Sequence, residues 1–155
     1  MTPIVPYAHT LFCDDVRHEV NGKVSFIGVF AGPLKLLEAP DGQPNLPPFQ
    51  MVMHYFEPLE YTDKAVTFEV KVSCDPEFEI VGTLLDEGSR PKVPVPTMGK
   101  PPFYLTSNFI VPLPPLRIVG ECVLSCTIFI GEDSIKGGSL WLQLERENDE
   151  DRTLI

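Results

Sequence analysis

The chain has 155 residues, 12 Lys and Arg against 22 Asp and Glu, 17 prolines and 43% hydrophobic side chains, which describes one domain. At this length roughly 70% of the unfolded surface can be buried, so neither metal nor disulfide is needed for a stable core. The net charge of −10 argues against a phosphate-backbone binder, which needs clustered Lys and Arg. That acidity is spread out: from Glu145 onward 5 acids meet 2 bases, and the remaining 17 acids against 10 bases still leave −7 in the body.

The first residues, Met-Thr-Pro-Ile-Val-Pro, offer neither a basic region nor an apolar core of the secretory type, so a cytoplasmic protein is expected. No apolar run approaches the roughly 18 residues of a membrane helix. In a reducing compartment Cys13, Cys74, Cys122 and Cys126 are expected as free thiols. Cys122 and Cys126, four apart on a strand, stand roughly 13 Å from each other and can neither pair nor share a metal.

Proline breaks almost every helical window, and strands take its place in chain order. Residues 11–20 and 23–31 form a hairpin about Asn21-Gly22, a pair that supplies the positive φ angles of a type I′ turn. A weaker strand is expected at 34–37. Residues 49–56 are apolar on both faces, with Met51, Met53 and Tyr55 alternating with Val52, His54 and Phe56, and predict a central strand. In 65–74 Val66, Phe68, Val70 and Val72 form the packed row. Residues 78–85 and 103–111 are weaker candidates. Cys122, Leu124, Cys126, Ile128 and Ile130 make the inward row of 121–130, and residues 131–138 are read as the turn to a last strand at 139–145. About eight strands separated by turn signals predict an all-β, antiparallel β-sandwich rather than a barrel. Its domain is assigned to residues 1–145, with 146–155 an acidic, flexible tail.

Prolines cluster at 40–48, 91–102 and 112–115. The middle cluster is too long for a tight hairpin loop and is read either as a crossover between sheets or as an arm reaching a neighbour or a proline-recognising groove.

Few residues suggest chemistry. Asp14, Asp15, Arg17 and Glu19 close the first strand, where the planar guanidinium suits a carboxylate and a structural clamp on the hairpin is expected. The alternatives are a divalent-cation site at Asp14, Asp15 and Glu19, with Asp75, Glu77, Glu79, Asp86, Glu87, Glu132 or Asp133 as further ligands, or a hydrolase or small-ligand protein with a pocket near Asp14, Arg17 and Glu19. Neighbouring strand residues such as Asp14 and Asp15 point to opposite faces, which disfavours an acid-base pair. His9, His18 and His54 have no serine elbow to serve, and Lys136-Gly137-Gly138-Ser139 is a turn rather than a phosphate loop. An enzyme is not expected, and no catalytic residue, cofactor or metal is assigned.

The stretch from Leu11 to Phe30 carries Cys13-Asp14, then Arg17 and Glu19, then Gly22-Lys23, then an apolar run with Gly28 inside it. These residues resemble a family of small bacterial and phage proteins known only as a domain of unknown function. The resemblance implies a small β-sandwich; more loosely, residues 120–144 are similar to the last strands of an immunoglobulin-like domain. It implies no activity.

Function is therefore sought in surfaces. Tyr104, Phe109, Phe129 and Trp141, with Val123, fall on strands apolar on both faces and are taken as a possible interaction surface. An unprotected edge strand could serve self-association. The expectation is a non-catalytic module acting through protein contacts, as an assembly subunit or adaptor, in the cytoplasm or in a phage particle.

Overall fold

A computed structural model describes residues 5–90 and 104–145. Its nine strands are β1 (Tyr7–His18), β2 (Val24–Val29), β3 (Leu34–Leu37), β4 (Phe49–Pro58), β5 (Val66–Val72), β6 (Asp75–Leu85), β7 (Tyr104–Leu113), β8 (Cys122–Ile130) and β9 (Asp133–Glu145). Short 3-10 turns at Val20–Gly22, Leu59–Tyr61 and Glu87–Ser89 are the helical elements among the described residues. The strands form two separate sheets, one ordered β2-β1-β4-β7 and the other β3-β9-β8-β5-β6. No barrel closes.

The period-2 pattern decides which side of each strand faces the other sheet. Phe12, Phe49, Met51, Met53 and Tyr55 from the four-stranded sheet meet Val66, Val70, Leu124, Ile128, Leu140 and Leu142 from the five-stranded one in a single core. Each such side chain stabilises the fold by roughly 1.5–3 kcal/mol when fully buried. β4 lies between β1 and β7, as its two apolar faces predict.

At the first turn Asn21 and Gly22 take left-handed φ of 67° and 72°, but His18 faces Val24 and the Glu19 N–H donates to the Lys23 carbonyl at 2.7 Å, so the loop is the three residues Val20–Gly22 and not the expected two-residue type I′ turn. The proline cluster at 40–48 lies in the connection from β3 to β4, and the cluster at 112–115 starts at the end of β7 and runs into the connection to β8, both connections passing from one sheet to the other. They bind each other: Leu46 and Leu116 exchange two backbone hydrogen bonds at 3.0 Å, and the Asn45 side chain donates to the Ile118 carbonyl and accepts from the Ile118 N–H. The excursion at 91–102 and the tail at 146–155 lie outside the described residues.

Two further expectations are corrected. The turn read at 131–138 is shorter, because Ile130 pairs directly with Asp133 and residues 133–138 continue β9. A register shift between Cys126 and Thr127, opposite Gly137 and Gly138, absorbs the turn-like residues as a bulge. The second correction concerns the thiols. Cys74 and Cys122 form a disulfide across neighbouring strands, in the same register that sets Val72 opposite Leu124. Cys13 and Cys126 are free and buried.

Candidate functional site

The signature residues first shape a bend. Phe26 lies opposite Val16 in the β1–β2 ladder, whereas His54 lies opposite His9 in the β1–β4 ladder. Along an extended strand those positions are roughly 23 Å apart. Yet the Phe26 and His54 rings meet edge-on with centroids 6.3 Å apart. β1 must therefore fold back, carrying the far half of its hairpin over the outer face of its own sheet. Burial agrees: Cys13 and Val52, both in outward register, are 0% and 1% exposed.

Gly28 stands at that bend. Its φ is +65°, and a Cβ placed there would overlap the Asp14 carboxylate. Cys13, Asp14 and Gly28 thus act together as a joint. Burial, and after it the Asp14 and Asp15 carboxylates, push the Cys13 thiol above its ordinary pKa, which makes it a poor nucleophile.

The remaining signature residues do less. Arg17 Nε lies 3.6 Å from Asp15 Oδ2, but both side chains are exposed and both belong to one strand, so this pair does not clamp the two arms of the hairpin. Glu19, Gly22 and Lys23 are exposed at the turn. Among the described residues no group of three or more His, Cys, Asp or Glu side chains converges to hold a metal ion. An open crevice of about 510 Å³ runs between His9 to Phe12 of β1 and Ser139 to Trp141 of β9, and another of about 480 Å³ lies beside Lys35, Glu121 and Gln143. Neither contains Asp14, Arg17 or Glu19.

What β1, β4 and β7 do build is a stepped set of cross-strand rows on the outer face of their sheet. The rows are Tyr7–Phe56–Thr106, His9–His54–Asn108, Leu11–Val52–Ile110 and Cys13–Gln50–Pro112, with Tyr104 opposite Pro58 at one end. No residue in these rows is charged, although the chain carries 22 acids. Tyr7 stacks on Phe56 at 4.5 Å and meets Tyr104 edge-on at 5.9 Å, while Tyr7 and Tyr104 stay 50% and 39% exposed. His54 Nδ1 and Asn108 Oδ1 are 2.6 Å apart, and the His9 ring lies parallel to that of His54 at 6.4 Å. The surface is aromatic and amide-rich, with uncovered rings at one end and the folded-back hairpin at the other.

The four side chains expected to share an interaction surface are divided among three places. Tyr104 belongs to the rows just described. Phe109 packs inward on the core, because its register partner is Met53 rather than an outward residue. Phe129 and Trp141 lie on the outer face of the five-stranded sheet, opposite Ser134 and Val123 respectively, so they are roughly 20 Å apart along β8. Charged side chains share that face, where Lys71 pairs with Glu69 at 2.9 Å and approaches Glu79 at 3.9 Å.

Sequence reasoning missed a buried ionic clasp. Arg90 Nη1 and Nη2 bind the two oxygens of Glu57, whose side chain is 1% exposed. The same guanidinium donates to the carbonyls of Lys64 at 2.9 Å and Tyr61 at 3.2 Å, and the Tyr55 hydroxyl donates to Glu57 Oε2 at 2.8 Å. Burial, then the Glu57 carboxylate, push the Tyr55 phenol far above its ordinary pKa, so it remains a donor. The available signal was Glu57 in an inward position two residues after Tyr55. The clasp ties the end of β6's exit turn to the turn after β4.

Comparison with family models, with curated proteins and with solved structures returns no match for this chain. Among the described residues no helix is long and apolar enough to cross a membrane.

Proposed function

We propose that this protein is a non-catalytic module that acts through protein contacts, as an assembly subunit or adaptor, and that the outer face of the β1-β4-β7 sheet is the contact surface. The observation that carries the reading is the absence of any charged residue from cross-strand rows that end in the partly exposed rings of Tyr7 and Tyr104, on a chain of net charge −10. A solvated face of so acidic a protein gains nothing from excluding charge, whereas the centre of a protein interface is depleted in charge and rich in aromatic side chains.

The fold reading that accompanies it is an immunoglobulin-like β-sandwich. With β2 set aside as part of the folded-back hairpin, β1-β4-β7 follows the order A-B-E and β9-β8-β5 the order G-F-C. The disulfide differs from that of antibody domains, since it joins neighbours within one sheet. Kinship with the bacterial and phage family that the signature resembles is part of the same proposal and rests on the sequence signature alone. A cytoplasmic setting remains part of the proposal; the Cys74–Cys122 bond is the feature that favours an oxidising one instead.

Affinity capture from extracts of the producing organism tests the contact reading. Partners held by the unaltered protein should be lost on Tyr7→Ser/Phe56→Ser/Tyr104→Ser and kept on Val123→Ser/Trp141→Ser. Equal recovery by both variants would count against this surface.

A further inference from the structure

The four sheet edges are unequally guarded. β6 carries Asp75, Glu77 and Glu79 and meets β5 through two register shifts. β3 has four residues, one of them Lys35. β2 has six and is distorted at Gly28. β7 is different: ten residues with no charge and no glycine, joined to β4 without a register shift, with Pro112 next to its end. Among the described residues no strand pairs with its outer edge. Charges, bulges, short length and proline are the usual means of keeping an edge single, and eight consecutive residues of β7, from Tyr104 to Val111, have none of them.

We propose that β7 pairs antiparallel with β7 of a second copy of this chain, joining two four-stranded sheets into one. This pairing goes beyond the contact reading above, since it uses the open edge of that sheet rather than its outer face. A foreign segment chosen by so acidic a protein would be selected by positive charge, and β7 has no acid with which to select it. Its own sequence fits. With the two-fold axis at Asn108, Thr106 of each copy faces Ile110 of the other and Tyr104 faces Pro112, an aromatic ring against a pyrrolidine. Leu105 then faces Val111 on the inner side, so both core faces stay continuous. Two copies of net charge −10 approach along the strand that brings no like charges together.

Sedimentation equilibrium of the full chain across the micromolar range should give twice the 17.3 kDa chain mass. Thr106→Lys/Ile110→Lys places lysine opposite lysine and should return the single-chain mass with an unchanged far-UV spectrum. Mixing it with Thr106→Glu/Ile110→Glu should restore the doubled mass. For the unaltered protein, amides of 104–111 should exchange more slowly at high than at low concentration, a readout that does not depend on the variants folding. A single-chain mass throughout, a lysine variant that stays double, or concentration-independent exchange would each overturn β7 pairing. A single chain that still captures partners through Tyr7, Phe56 and Tyr104 would leave the contact reading standing and remove this one.

Discussion

Glu57 interrupts an inward row of Phe49, Met51, Met53 and Tyr55, and its carboxylate is held by Arg90 and the Tyr55 hydroxyl. A buried pair contributes little net stability compared with an apolar pair, but losing one partner strands the other charge. Arg90→Met should therefore cost about 3–5 kcal/mol, read from urea unfolding, and Glu57→Leu/Arg90→Met should recover most of it. Alternation alone marked Glu57 as inward. It could not name Arg90, which lies 33 residues away and reaches Glu57 only through the paths of β5 and β6. A second consequence follows from the thiols. Burial pushes Cys126 from 9.0 up to about 11, so the folded state holds a proton that the unfolded chain releases. Its contribution is complete below about pH 9 and declines as pH rises toward 11. Tyr55, shifted in the same direction, adds to the decline once pH exceeds its ordinary 10.0. Urea midpoints across that window should fall less steeply for Cys126→Ala than for the unaltered protein.

Among the elements, strands were the most legible because their side chains alternate and their ends carry turn residues. The inward rows of β5, β8 and β9 are those the alternation predicts, and Asn21-Gly22 supplies its left-handed turn. Two elements were hidden for different reasons. Residues 133–138 combine acids and glycines in the manner of a loop, yet a bulge lets them pair with β8. The bend in β1 interrupts the alternation, with Phe12 and Cys13 both buried and Asp14 and Asp15 both exposed, and its other trace is one glycine. At Gly28 the left-handed φ and the nearby Asp14 carboxylate both exclude a side chain. Gly28→Ala should lose about 1–3 kcal/mol, measured by thermal or urea unfolding. Because the bend is what covers Cys13, the variant should also make that thiol react faster with a maleimide. Unchanged stability and labelling would show that the joint can relax.

At the scale of the whole molecule, the composition pointed to one domain, and the described strands share one core. It did not reveal the disulfide, because Cys74 and Cys122 are 48 residues apart and meet only through the register of β5 and β8. Closing that loop should stabilise the fold by about 4 kcal/mol on the chain-entropy account. Cys74→Ser/Cys122→Ser should show that loss in urea, and reductant should reproduce it. Of the candidate surface, Tyr104 was legible and its neighbours Tyr7, His9 and Phe56 were not, because the rows are assembled from three strands far apart in sequence. The charge is likewise clearer in space than in composition: among the described residues, the acids lie elsewhere than on the outer rows of the β1-β4-β7 sheet. Site-specific photo-crosslinking in the producing cell tests that surface most directly, with a photoreactive phenylalanine analogue replacing Tyr104 and, separately, Val81, which is 65% exposed on β6. Discrete protein adducts from position 104 and none from position 81 are predicted; no adduct from 104, or the same adducts from both, would contradict the account.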